Sequence, residues 1–139
     1  MLKKTIKYTD YNGIERQEDF WFNLSKAELT EMELTTVGGF DGMVQKIIAA
    51  RDVPTLINLF KEIILKSYGE KSADGRRFIK INENGHRLVD QFVQTEAYSN
   101  LFMELATDDK AAADFVNGIV PSDVSAKASE AMSTGQLNG

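Results

Sequence analysis

From Lys3 to Thr9 polar and apolar residues alternate, with Leu2, Ile6 and Tyr8 on one face, which predicts a half-buried strand. "DYNG" and then "IERQEDFWFNL" follow, and Asn12-Gly13 first suggests a two-residue hairpin turn. That register would set Ile6 against Asp19 and put Phe20 and Phe22 opposite the lysine face. A three-residue loop, with Asp10 opening a type I turn and Gly13 left-handed, removes the mismatch. Leu2, Ile6 and Tyr8 then share a face with Phe20, Phe22 and Leu24. A slip of one residue would turn whole faces over, so this pairing is the one the pattern predicts. It leaves Trp21 on the polar face near Lys3. There the indole either shelters aliphatic stems or packs under a helix, or it meets a partner, since tryptophan is enriched among interface anchors.

Helical spacing takes over at Ser25. Ser25 as N-cap and Glu28 three residues on form a capping box, and Leu24 and Leu29 are placed for a hydrophobic staple. This helix is expected to run to about Leu34. "TTVGGFDG" reads as a flexible break, after which Met43, Val44, Ile47 and Ile48 mark one face of a second helix ending before Asp52. Asp52, with Pro54 in the first turn, starts a third. Leu56, Leu59, Phe60, Ile63 and Ile64 line one side of it, and Ile57, Leu65 and Tyr68 widen the apolar arc. A helix this apolar is expected at the centre, packed on several sides, with Gly69 ending it as a left-handed C-cap residue. Glu70 to Gly85 is polar and turn-rich, with "FIKI" as a short strand, and a weaker helix covers Leu88 to Val93. Tyr98, Leu101, Phe102 and Leu105 form the stripe of the next helix. Thr107 is expected to cap a last one, with Asp108 and Asp109 at its positive end and Ala112, Phe115, Val116 and Ile119 buried. Beyond Pro121, "SDVSAKASEAMSTGQLNG" has too little to bury to offset its ordering, which predicts a mobile polar tail. No internal repeat is visible.

The fold class is therefore α+β, mostly α. An N-terminal β-hairpin precedes a compact bundle of about five to six short helices and a flexible C-terminal tail. The expected organisation is one globular domain over 1–121 (hairpin 1–24, helical part 25–121), with 122–139 as the tail. A length of 139 residues suits one domain.

Chemistry enters mostly by exclusion. The chain has no cysteine, so disulfides, thiolate metal sites and cysteine nucleophiles are out, and a reducing compartment fits. "MLKKTIKYTDYNG" carries lysines with no apolar run behind them, unlike an export signal, and no stretch reaches the length of a membrane span. The one histidine, His86 in "NENGHRL", has no second histidine for a metal and no nucleophile elbow for a triad. Glu28, Glu31, Glu33, Asp108 and Asp109 read as solvated faces and helix N-termini, and "VGGFDGM" lacks the frame of a phosphate loop. The densest basic segment holds Lys61, Lys66, Lys71, Arg76, Arg77 and Lys80. A net charge of −5, and aromatics that do not interleave with these cations, argue against nucleic acid. No cofactor, metal or catalytic residue is expected. What remains is a surface for other proteins.

Three stretches, "EDFWFNLSKAELTEMEL", "IILKSYGEKSADGRRFIK" and "EAYSNLFMELATDDKAAADFVNGIVP", together resemble the small tail assembly chaperones of long-tailed (siphovirus-type) bacteriophages and prophages. The resemblance covers most of Leu2 to Pro121, is most specific in the third stretch and weaker at "INENGHRLVDQ". It implies a non-enzymatic protein of the host bacterial cytoplasm, not part of the mature virion. Such a protein binds the tape-measure protein and helps recruit tail-tube subunits, and in many members it also exists in a form extended by a ribosomal frameshift. Self-association would suit a coating role. The competing readings are a structural virion component, such as a head–tail connector or minor tail protein, and a small regulatory or nucleic-acid-associated phage protein. Trp21, Phe40 and Met43, on the strand's polar face and at the glycine-rich hinge, are the candidate partner-binding residues. Core packing is the alternative for Phe40 and Met43.

Overall fold

The computed structural model describes residues 1–35, 38–49 and 53–121. Strands β1 (Leu2–Thr9) and β2 (Glu15–Phe22) form the N-terminal hairpin. Helices α1 (Lys26–Thr35), α2 (Gly39–Ala49) and α3 (Val53–Ser67) follow, then strands β3 (Tyr68–Lys71) and β4 (Phe78–Ile79). Helices α4 (Val89–Phe92), α5 (Glu96–Thr107) and α6 (Asp109–Gly118) complete the fold. This is the expected α+β class. The side chains of Val44, Ile47 and Ile48, the cap expected at Asp52 and the tail expected over 122–139 lie outside what is described.

The hairpin adopts the predicted register, with Leu2 opposite Phe22, Lys3 opposite Trp21 and Ile6 opposite Glu18. Its turn shows why. Asp10 N–H donates to the Ile14 carbonyl and Gly13 N–H to the Asp10 carbonyl, while Gly13 takes φ +80°. One Asp10 carboxylate oxygen accepts from the amides of Asn12 and Ile14, and the other holds Arg16 Nε at 2.6 Å. The Ile14 amide first and Arg16 second hold the Asp10 carboxyl below its ordinary pKa.

The sheet is larger than the hairpin. Its order is β1-β2-β3-β4, so two strands from the expected helical part extend it. The reading of Gly69 as a left-handed C-cap is corrected: α3 ends at Ser67 and the chain passes directly into β3, with Gly69 paired to Trp21. Tyr68 continues the apolar pattern of α3, which hid the change of period. Glycine is required at 69 for space. A Cβ there would lie 2.4 Å from the Phe78 ring and 2.7 Å from the Ile79 carbonyl oxygen. Gly69→Ala should therefore destabilise the fold by about 1–3 kcal/mol, read from the urea midpoint.

The capping box forms as predicted, with Glu28 N–H donating to Ser25 Oγ at 3.1 Å and Ser25 N–H to Glu28 Oε1 at 2.9 Å. Leu24 and Leu29 are both buried. The cap expected at Thr107 belongs instead to Asp108, whose carboxylate accepts from the amides of Lys110 and Ala111. Thr107 sits in the last turn of α5, its hydroxyl bonded to the Met103 carbonyl at 2.6 Å. The expected break before Met43 is also shorter than the pattern suggested, because α2 begins at Gly39.

The core lies between the inner sheet face and the helices, with Phe22, Phe60, Ile63, Ile64, Leu101, Phe115 and Ile119 nearly inaccessible. Along one side of α3, Phe60, Ile63 and Ile64 are buried while Leu56 and Leu59 are half-buried. An aromatic cluster fixes the sheet to the helices. Tyr68 and Phe92 stack at 4.3 Å, and Phe22 meets Tyr68, Phe92 and Phe115 edge-on at 5.6, 5.9 and 5.1 Å.

Lys80 ties the end of β2, the end of α3 and the first turn of α1 together. Its ammonium donates to the Asn23 and Lys66 carbonyls, each at 2.7 Å, and to the Glu28 carboxylate. The basic segment is accordingly not one surface patch. Lys80 is turned inward and Lys66 Nζ pairs with Glu62 at 3.1 Å.

Candidate functional site

The two faces of the hairpin differ sharply. Leu2, Lys4, Ile6 and Tyr8 of β1 and Phe20 and Phe22 of β2 are covered at least in part, whereas Lys3, Thr5, Lys7 and Thr9 and, across from them, Glu15, Gln17 and Asp19 are exposed, as are Arg16 and Glu18 at the far end of β2. Trp21 lies on this outer face, half-buried, opposite Lys3 on one side and Gly69 on the other. The register thus places it where the sequence did.

Strands β2 and β3 pair only at Trp21–Gly69 and Phe22–Tyr68 and then diverge. A cleft of about 380 Å³ opens in this fork, lined by Glu18, Asp19, Phe20, Trp21, Tyr68, Glu70 and Lys71. Its lining combines three aromatic side chains with three carboxylates and one lysine. Glu18 accepts from the Tyr8 hydroxyl, and Asp19 accepts from Thr5 Oγ1 at 2.6 Å. Tyr68 is pushed up to about 12, by burial first and then by the negative charges of Glu70 and Glu18.

That shift has a sign that can be checked. Between pH 10 and 12 an unfolded tyrosine gives up its proton while Tyr68 keeps it, so the folded state binds more protons and stability falls as pH rises. The contribution of this group should decline by at most about 1.4 kcal/mol per pH unit in that window. Tyr68→Phe should flatten this part of the decline, seen by comparing urea midpoints of the two proteins at pH 8 and pH 11.

Phe40 and Met43 stand elsewhere. Spaced by three on the inward face of α2, each is only 3 % exposed and belongs to the core. Of the three candidates, only Trp21 is open to a partner in this fold. No local pattern joins it to its neighbours Tyr68, Glu70 and Lys71, since Tyr68 extends the helical spacing of α3 into β3. His86 is exposed, its amide donating to Asn82 Oδ1 and its carbonyl accepting from the Asn82 amide. Among the described residues no group of His, Cys, Asp or Glu is arranged to hold a metal ion, and no helix is long and apolar enough to cross a membrane. The cleft offers aromatic surface and charge beside the part of β2 that β3 does not pair.

A family model described as "Phage tail assembly chaperone" matches residues 1–138. The chain belongs to this family of phage tail assembly chaperones. Comparison of the chaperone with curated proteins and with solved structures finds no match. The family match spans the hairpin, the α3–β3 junction and the C-terminal helices of the chaperone alike.

Proposed function

We propose that this chaperone binds the tape-measure protein through the Trp21 cleft, keeps it soluble, and helps bring tail-tube subunits to it in the host cytoplasm, without entering the mature virion. The observation that carries the reading is a half-buried tryptophan that lines, with Phe20 and Tyr68, a cleft in an open fork of the sheet, on a chain of this family. A contact of that kind is strong enough to shield apolar surface. Being a single anchor in a shallow cleft, it is also weak enough for tube subunits to displace.

The test is co-expression with the tape-measure protein. The soluble fraction of the tape measure should rise with the wild-type chaperone. With Trp21→Ala its capture should weaken by at least about tenfold, the scale expected for removal of an anchor tryptophan. Unchanged solubility, or the chaperone present at stoichiometric level in purified mature particles, would overturn the reading.

A further inference from the structure

The hydrogen-bond directions along β2 reveal a second feature beside the Trp21 cleft. In β1, the Lys7 carbonyl points away from β2 and is bonded by the Asn100 side-chain amide at 2.9 Å. Asp10 N–H, an even position, points inward to Ile14. Even positions therefore carry the β1–β2 ladder, and odd positions of β2 turn their N–H and C=O toward β3. Asn23 confirms the alternation, its N–H donating to the Ser67 carbonyl on that side. Yet β3 reaches only Trp21 and Phe22. Glu15, Gln17 and Asp19 are thus left with outward backbone groups that meet no strand among the described residues, and all three are exposed. About 17 Å of strand edge lies open, enough for an added strand of about five residues.

We infer that this β2 edge, Glu15–Asp19, receives an extended, lysine- or arginine-bearing segment of a partner polypeptide as an added β-strand. Charge decides the occupant. Glu15, Glu18 and Asp19 lie on the edge and Glu70 lines the same fork, where Lys71 is the one cation, while Arg16 is already paired with Asp10. A second copy of this edge would set the same carboxylates against each other, which is how natural sheets block self-pairing. The basic edge of β1 in a second copy is not available either, since Asn100 of α5 occupies its Lys7 carbonyl. A strand with cations at alternate positions meets the carboxylates and completes the backbone ladder, and an apolar residue at its end enters the aromatic fork. The inference stands apart from the tape-measure assignment, because it names the chemistry of an edge and not the protein that supplies the strand.

Backbone amide exchange on the full-length chain tests it, with a synthetic peptide alternating lysine and valine as probe and a glutamate–valine peptide as control. The lysine peptide should slow exchange of the Gln17 and Asp19 amides at least about tenfold, more at low salt, and the control should not. Gln17→Pro removes an outward N–H that no ladder uses, so it should abolish peptide binding and keep the fold. Should that variant unfold, Glu15→Lys with Asp19→Lys serves instead, and the preference should turn toward the glutamate peptide. Unslowed exchange at saturating lysine peptide overturns the inference. So does equal protection by both peptides, or protection of Thr5 and Thr9 in place of Gln17 and Asp19. Tape-measure capture is scored separately, so loss of peptide binding by Gln17→Pro with capture intact separates the two readings.

Discussion

Replacing Phe22 with alanine should lower the stability of the chaperone by about 3–5 kcal/mol, the largest loss expected from a single side chain here. Phe22 has no accessible surface, and its ring stands edge-on to Tyr68, Phe92 and Phe115. Each neighbour comes from a different element: β3, α4 and α6. Truncation therefore removes the buried ring and leaves a void that three separate elements would have to close together, which close packing resists. Thermal unfolding should shift down by about 10–20 °C, given the entropy of unfolding for a chain of this size. Leucine at the same position should recover part of the loss, because it fills most of the volume without the edge-on contacts. A shift of only a few degrees for the alanine variant would mean that the sheet is not held to the helices at this point.

The second large effect is expected at Lys80. Its ammonium has three hydrogens and three acceptors: the Asn23 carbonyl, the Lys66 carbonyl and the Glu28 carboxylate. Lys80→Met keeps much of the stem but takes this donor from the two carbonyls and from Glu28 Oε2 in a partly covered position, a loss of about 2–3 kcal/mol. Lys80→Arg should not restore it, since a planar guanidinium cannot converge on three acceptors arranged around one point. Glu28→Gln combined with Lys80→Met should cost less than the sum of the two, because the first change removes the charge that the second strands. Urea midpoints of the four proteins in that cycle give the coupling. Burial holds the Lys80 pKa below its ordinary value, against the opposing pull of Glu28. As pH approaches 10.5 the folded state releases this proton before the unfolded one, so this group alone raises stability with pH, opposite in sign to Tyr68.

Much of the fold was legible because local rules and burial agreed. The hairpin register followed from the need to gather Leu2, Ile6, Phe20 and Phe22 on one face, and Ser25 with Glu28 announced the start of α1 by chemistry that acts within four residues. The errors arose where two periods overlapped. Tyr68 fits the helical stripe of α3 and also the inner face of a strand, so only the close approach of Phe78 to Gly69 reveals which pattern prevails. Thr107 and Asp108 both suit an N-cap, and the aspartate wins because its carboxylate reaches two amides. At the candidate site, Trp21 was readable from alternation alone. Its surroundings were not, since Glu70 and Lys71 join it through a pairing some fifty residues distant in the chain, which no local pattern encodes. Lys80 was hidden for the same reason. In sequence it is one more cation in a polar stretch, and its three acceptors are brought together only by the folded chain.

No residue intervenes between Ser67, the end of α3, and Tyr68, the start of β3. Ser67 is itself inaccessible, its hydroxyl donating to the Ile63 carbonyl at 2.7 Å while its own carbonyl accepts from Asn23. The joint has no slack. Gly69, paired to Trp21, stands two residues beyond the last residue of α3, so the fork of the sheet and the end of that helix share one short stretch of backbone.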